Sequence, residues 1–417
     1  MSVSCATCTI PSERMGKRAL RLAFISLALA VIVLGTTALV VWRHEGYVEI
    51  HSTCCADHQH YLAMAGGLPE HPEAAKTPPY AYRLLSPQIV RLLPFSATTG
   101  FHLLTTAALI GAAALLFLLL RTMGFDDLAA AASLVIFGSL YWLVESTQVD
   151  FLLVDPLSFF FFAAFLLALY RNCPPLLIAT IASLAVLNKE VGLILPPVAL
   201  VCLSRTQRMT KSSAVLIVGA PVVAFALLHL LVATEGSYRL LEEIRDALSR
   251  RYGSPSRALT DLKLYFFPTW GPMLLIIAAQ PQSLVKFLRR FPELGVLYLL
   301  AHLQLLLAMD TTRLLVVAYV AVVPAVTFCL REGLRKGWLV LAVASAAAVL
   351  QGFYFEFARV KVATYMGGRS GFDPGIAAFE ERAIIAMAVL AIVVAIVALL
   401  ATLRSGGANN RRPQPAL

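Results

Sequence analysis

The chain contains long apolar segments, each of about 20 residues, that recur from near its beginning to near its end. A helix of that length crosses the hydrocarbon core of a bilayer, because each residue adds about 1.5 Å. We predict about 12 spans. They fall near residues 22–42, 101–120, 128–144, 151–170, 175–187, 191–203, 213–233, 270–284, 292–309, 314–330, 337–355 and 383–403. The predicted fold class is therefore all-α, a polytopic transmembrane helix bundle.

Composition favours one membrane module over a series of soluble domains. The 417 residues are 59% hydrophobic and only 14% charged, whereas a soluble domain carries about 25% charged residues. We predict a cytoplasmic tail at 1–17, a single transmembrane module at 18–403 and a disordered cytoplasmic tail at 404–417. The lipid bilayer is then the main environment of the chain.

The formal charge of +10 lies in short gaps between the apolar segments. Alternation from a cytoplasmic N-terminus places the basic clusters inside, as the positive-inside rule requires. These clusters are Arg121, Arg171, 205–211, 286–290, 331–336 and 404–412. No basic stripe with interleaved aromatic residues is present, so we predict no nucleic-acid partner.

The same alternation leaves three long loops outside, at 43–100, 234–269 and 356–382. The second contains apolar residues at helical spacing with charge on the other face, which predicts an amphipathic helix on the membrane surface. The first is the densest block of polar chemistry in the chain. It carries Asp57 with His58 and His60, and the aromatic–arginine cluster Tyr80, Tyr82 and Arg83. A divalent metal on the histidine pair is possible, but no third ligand can be placed.

Further ionisable residues fall at the outer junctions of the predicted spans. They are Glu145, Asp150, Asp155, Lys189, Glu190, Asp310 and Arg313. Charges at membrane depth are costly and usually face a cavity or a partner, so we predict one shared outward-facing cavity. The alternative is local: Asp310 and Arg313 could pair with each other, and Lys189 and Glu190 could cap a turn.

The segment 175–203 has two interpretations, because each half is only about 13 residues long and therefore short for a crossing. A single helix would place Arg171 and the 205–211 cluster on opposite sides of the membrane. A hairpin with Asn188, Lys189 and Glu190 at its tip keeps both clusters on one side, and we favour it.

The order of these pieces resembles bacterial multi-spanning glycosyltransferases of the GT-C superfamily. The nearest branch is that of the protein mannosyltransferases and polyprenyl-phosphate-mannose mannosyltransferases. The resemblance covers about residues 20 to 330, and its motifs are short. They are D-x-x-x-Y-x-x-M-A (Asp57, Tyr61, Met64, Ala65), Y-x-Y-R with a later proline (Tyr80, Tyr82, Arg83, Pro87), an acid at a span start (Asp150 or Asp155), Asn188-Lys189-Glu190, and D-x-x-R (Asp310, Arg313).

The resemblance implies a GT-C-like core with a large first extracytoplasmic loop, in a bacterial cytoplasmic (inner) membrane with both termini cytoplasmic. It implies a sugar donor on a polyprenyl phosphate, an unidentified acceptor and no required cofactor. Asp57 would be the general base, and Arg83, with Lys189 or Arg313, would hold the phosphate. The substrate cavity would also be lined by Tyr61, Tyr80, Tyr82, Asp150, Asp155, Glu190 and Asp310. Histidine follows Asp57, so the second acid common in this loop is missing locally.

Two other classes of protein fit part of the pattern. About 12 spans with a broken hairpin and intramembrane acids also suit a transporter or flippase for a lipid-linked or polar solute. Against this class, the polar groups cluster at one face, and the two halves show no inverted similarity. A non-catalytic scaffold would leave the polar loops merely solvated.

Overall fold

A computed structural model describes residues 56–140, 143, 147, 151–235, 245, 249, 269–304, 315–334, 339–340 and 342–348. Several predictions lie outside these ranges: both tails, the spans at 22–42 and 383–403, most of the span at 337–355, and nearly all of the surface helix in 234–269. Four candidate site residues also lie outside them, namely Glu145, Asp150, Asp310 and Arg313.

Within the described ranges every regular element is helical. The α-helices are α1 Ala56–Met64, α2 Leu85–Leu92, α3 Ala97–Thr122, α4 Asp127–Ser139, α5 Asp155–Tyr170, α6 Pro175–Asn188, α7 Leu195–Arg205, α8 Lys211–Leu231, α9 Pro272–Ala278, α10 Pro281–Arg290, α11 Pro292–Leu303 and α12 Tyr319–Leu334. Short 3₁₀ turns occur at Pro72–Lys76, Tyr80–Tyr82, Glu190–Ile194 and Val316–Ala318.

Three of the described helical stretches are long and apolar enough to cross a membrane. They are α3, α8, and α12 together with the turn before it. In α8 only 17% of the most apolar window is buried inside the protein. Val215 and Leu230 on this helix are 72% and 79% exposed. An apolar surface of that extent suits a nonaqueous neighbour. The all-helical class is confirmed, with three candidate membrane spans among the described residues. The count of 12 spans stays a prediction.

The long helices begin where the sequence supplies a side-chain cap. The Ser96 hydroxyl accepts from the Thr99 backbone N–H at 3.3 Å at the start of α3. The Asp126 carboxylate accepts from the Ala129 N–H at 2.9 Å at the start of α4. Thr210 and Ser213 form a reciprocal capping box at the start of α8. Each cap satisfies an N–H that has no partner inside its helix.

One predicted span is wrong as a continuous helix. The segment 270–284 breaks into α9, which ends at Ala278, and α10, which begins at Pro281. The ring of Pro281 disfavours helical backbone at the residue before it, and Gln280 has φ −132° and ψ 59°. Hydrophobicity alone did not reveal this break.

The hairpin interpretation of 175–203 is confirmed. Helices α6 and α7 are separated by an extended Lys189 (φ −162°, ψ 140°) and a 3₁₀ turn. Their far ends lie together, because the Arg208 guanidinium just after α7 donates to the Asn172 side chain just before α6. The turn packs so closely on α6 that a Cβ at Gly192 would lie 2.6 Å from the Ala185 carbonyl carbon.

Side-chain contacts define two opposite ends of the bundle. The loop end comprises residues 56–96, the start of α5, the α6–α7 turn and the end of α8. There the Lys76 ammonium donates to the Glu235 carboxylate at 2.6 Å, and the ring of Tyr82 stacks on that of His229. The basic end comprises the α3–α4, α5–α6 and α7–α8 connections, α10, the start of α11 and the end of α12. A chain of aromatic contacts connects its helices: Phe125, Phe328, Phe287, Phe291 and Tyr170.

Candidate functional site

A cluster of polar side chains, brought together from distant parts of the sequence, lies at the loop end. Helix α1, the Tyr80–Tyr82 turn, the first turn of α5 and the α6–α7 turn each contribute to it. We call it the loop-end site. Its members are Asp57, Tyr61, Tyr80, Arg83, Ser86, Asp155, Ser158, Asn188, Lys189 and Glu190. Seven of the eight predicted catalytic or substrate-binding residues that the structure describes therefore lie in one place, together with Ser86, Ser158 and Asn188.

Arg83 is the centre of the exposed half of the site. Its Nε and Nη2 donate to the two Glu190 carboxylate oxygens at 3.0 and 2.5 Å, a bidentate pair. Its Nη1 donates to the Tyr61 hydroxyl at 2.7 Å. The Arg83 residue is only 8% exposed, whereas the Glu190 side chain is 45% exposed. The guanidinium is thus bound by the buried Tyr61 on one side and by the more exposed Glu190 on the other.

Lys189 and Asp155 form the buried half of the site. The Lys189 ammonium lies 2.5 Å from an Asp155 carboxylate oxygen, and each side chain is 1% exposed. Two buried charges persist in a low-dielectric interior only when they compensate each other. This pair joins the start of α5 to the end of α6. Lys189 is also the C-cap residue of α6, but its side chain and that of Glu190 bind different partners.

Asn188 holds the elements around this pair together. Its amide nitrogen donates to the Val154 carbonyl and to the Ser158 hydroxyl, both at 2.8 Å. Its amide oxygen accepts from the Ser86 hydroxyl at 2.6 Å. Asn188 and Ser158 are 0% exposed and Ser86 is 1% exposed. Sequence reasoning missed both serines. Ser158 lies one helical turn after Asp155, and that spacing was the available signal.

The aromatic residues predicted to line the cavity separate into two groups. The ring of Tyr80 stacks on His60 with centroids 4.3 Å apart, meets Tyr61 edge-on and lies 5.5 Å from the Arg83 guanidinium carbon. Tyr80 therefore forms part of the site wall. Tyr82 packs instead against His229 of α8 at 3.9 Å, so its contacts fix the loop to the bundle.

The histidine pair considered for a metal has other contacts. His60 Nδ1 lies 2.7 Å from the Ala74 carbonyl oxygen, and its ring is stacked on Tyr80. Across residues 56–348, where the structure describes them, no group of three histidine, cysteine or acidic side chains is arranged to hold a metal ion.

Asp57 lies in the first turn of α1 and is partly exposed. Burial raises the pKa of the Tyr61 hydroxyl above its usual range, the Arg83 charge opposes the rise, and the Asp57 and Asp155 carboxylates add to it. The two carboxylates are far apart in the sequence, but both are near enough to Tyr61 to raise the pKa of its hydroxyl.

Comparison with protein-family models, with curated proteins and with solved structures gives no match to this chain. The GT-C resemblance therefore stays a prediction.

Proposed function

We propose that this chain is a membrane glycosyltransferase with its active centre in the loop-end site. It would transfer a sugar from a polyprenyl-phosphate carrier to an acceptor, with Asp57 as general base. The observation that carries the proposal is the convergence of three acids, two paired cations and a tyrosine at one end of an apolar helix bundle. Ionisable groups at such a position are costly, which favours a functional role.

The proposed step balances without a cofactor or a metal. An acceptor hydroxyl attacks the anomeric carbon of the sugar, and a new C–O bond forms. The C–O bond to the carrier phosphate breaks, and its electron pair leaves with the phosphate. The hydroxyl proton passes to Asp57. General base assistance of this kind contributes about 10²- to 10⁴-fold to a rate.

Asp57 suits the base role better than the other acids of the site. Asp155 is buried and paired with Lys189. Both Glu190 oxygens already accept hydrogen bonds from Arg83. Asp57 is partly exposed and lies in a helical first turn, so an acceptor from outside the bundle can approach it.

Tyr61 and Arg83 suit the leaving phosphate. A tyrosine hydroxyl is protonated at physiological pH, and burial raises the pKa of Tyr61 further. The hydroxyl accepts from Arg83 and has its own hydrogen to donate. Arg83 Nη1 and Nη2 each carry a second hydrogen beyond those used for Tyr61 and Glu190. A planar guanidinium beside a phenol can donate to several phosphate oxygens at once. Lys189 would act indirectly, by holding Asp155 and the turn that positions Glu190.

Charge supports an orientation with the loop-end site outside. Among the described residues, the basic end carries nine arginines and lysines against four carboxylates, a net charge of +5. The loop end carries four arginines and lysines and six carboxylates, a net charge of −2. The positive-inside rule then places the basic end in the cytoplasm. We propose a multi-pass protein of a bacterial cytoplasmic membrane that acts at the extracytoplasmic face.

The test uses full-length protein in proteoliposomes with a radiolabelled polyprenyl-phosphate sugar, and it follows release of the sugar from its carrier. Asp57→Asn is expected to reduce turnover by about 10²- to 10⁴-fold. Glu70→Gln is the matched control, because Glu70 is an exposed acid of the same loop, and it should leave turnover unchanged. Full turnover in Asp57→Asn would remove Asp57 from the base role.

One observation favours a second candidate, a transporter or flippase. The Asp155–Lys189 pair lies at a break between helices, a position where transporters often place their substrate sites. Protein that binds the labelled carrier and moves it across the bilayer without releasing the sugar would support this candidate. Sugar release would exclude it as the sole function.

A further inference from the structure

Helix α10 (Pro281–Arg290) has three distinct faces. At about 100° per residue, Ser283, Leu284 and Phe287 share one face. Phe287 is 1% exposed and contacts Phe291 and Phe328, so this face packs on the bundle. The other two faces carry the exposed residues of the helix.

The second face of α10 is apolar and exposed. Val285 and Leu288 lie three residues apart on it and are 46% and 37% exposed. The third face is basic and carries Lys286, Arg289 and Arg290, all exposed. A short helix with an apolar stripe beside a basic stripe is the pattern of a helix that lies in the membrane interface.

The protein neutralises only part of the charge of the third face. Lys286 pairs with Glu332 at 3.3 Å. Within the described part of the chain, neither Arg289 nor Arg290 pairs with a carboxylate, and Arg290 instead lies over the ring of Phe291. All four carboxylates of the basic end are already paired with other cations. An anion that is not among the described residues is therefore the expected partner of Arg289 and Arg290.

We propose that α10 binds anionic phospholipid in the leaflet next to the basic end. The lipid phosphate would lie against Arg289 and Arg290, and the acyl chains against Val285 and Leu288. Charge complementarity selects the headgroup, and the adjoining apolar stripe selects a lipid over a soluble anion. The inference does not depend on the catalytic proposal, because it concerns the opposite end of the bundle.

The test measures phospholipid bound to purified full-length protein by native mass spectrometry, with phosphatidylglycerol and phosphatidylcholine as probes. Each basic residue near an anionic surface contributes about fivefold to binding. Arg289→Gln is therefore expected to weaken phosphatidylglycerol binding about fivefold, with phosphatidylcholine unchanged. Arg289→Lys should retain most of the binding, because it keeps the charge.

The matched control is Arg91→Gln, which removes an exposed arginine of α2 at the loop end. It should leave phosphatidylglycerol binding unchanged. Equal loss in the Arg91 and Arg289 variants would show a general effect of net charge and would overturn the proposal. Wild-type binding in Arg289→Gln would overturn it as well. If Arg289→Gln and Arg289→Lys both lose phosphatidylglycerol binding, the shape of the guanidinium is required and the charge is not sufficient. That result would also overturn the proposal.

Discussion

Replacement of Lys189 by methionine tests the buried half of the loop-end site. Methionine has nearly the length of lysine and no charge, so Lys189→Met removes the partner of Asp155 without opening a large cavity. The Asp155 carboxylate is 1% exposed and would lose its countercharge in a low-dielectric interior. Removal of one partner from a buried ion pair typically costs about 3–5 kcal/mol of stability.

The structure offers a control of the same chemistry at the surface. Lys76 pairs with Glu235 at 2.6 Å, but the two side chains are 51% and 55% exposed. Water screens such a pair, which contributes little to stability. Lys76→Met should therefore leave the free energy of unfolding nearly unchanged.

The assay is denaturant-induced unfolding of the purified protein in detergent micelles, followed by far-UV circular dichroism. The double variant Asp155→Leu/Lys189→Met completes a thermodynamic cycle. It should recover most of the loss, because an apolar pair in place of a buried ion pair is often neutral or stabilising. A Lys189→Met protein as stable as Lys76→Met would refute the reasoning, since the two lysines would then have equivalent surroundings.

Two further substitutions test the rest of the site. Arg83→Lys keeps the charge, but one ammonium cannot hold both Glu190 oxygens and the Tyr61 hydroxyl, so we expect a loss of about 1.5–3 kcal/mol of unfolding free energy in the same assay; an unchanged value would mean that the bidentate geometry contributes nothing. Gly192→Ala places a Cβ 2.6 Å from the backbone of α6 and should cost about 1–3 kcal/mol. Gly219→Ala, with no atom within 4 Å of the added Cβ, should be neutral or slightly stabilising; equal effects at the two glycines would contradict the close approach.

Much of the helical architecture follows from local sequence. The predicted span at 101–120 corresponds to α3 and that at 213–233 to α8, because long apolar segments and their capping residues are local properties. The two basic clusters that flank 175–203 indicated the hairpin. The break between α9 and α10 was harder to predict, because a single proline after Gln280 decided it inside an apolar segment.

The loop-end site could be predicted only in outline. The sequence marked Asp57 and Arg83 in the first outer loop and Lys189 and Glu190 near predicted span ends, and so identified most of its charged members. It did not identify their partners. In particular, it did not identify the Glu190 carboxylate and the Tyr61 hydroxyl that the Arg83 guanidinium binds.

The sequence by itself determined that this chain forms apolar helices with charge confined to their ends, since hydrophobic transfer and helix capping act over neighbouring residues. Tertiary structure alone decided which charges pair. The extended backbone at Lys189 sends successive side chains in opposite directions, so Lys189 meets the buried Asp155 while Glu190 meets Arg83. Such pairings depend on which helices pack together, and the cost of burying a charge without its partner makes that packing specific.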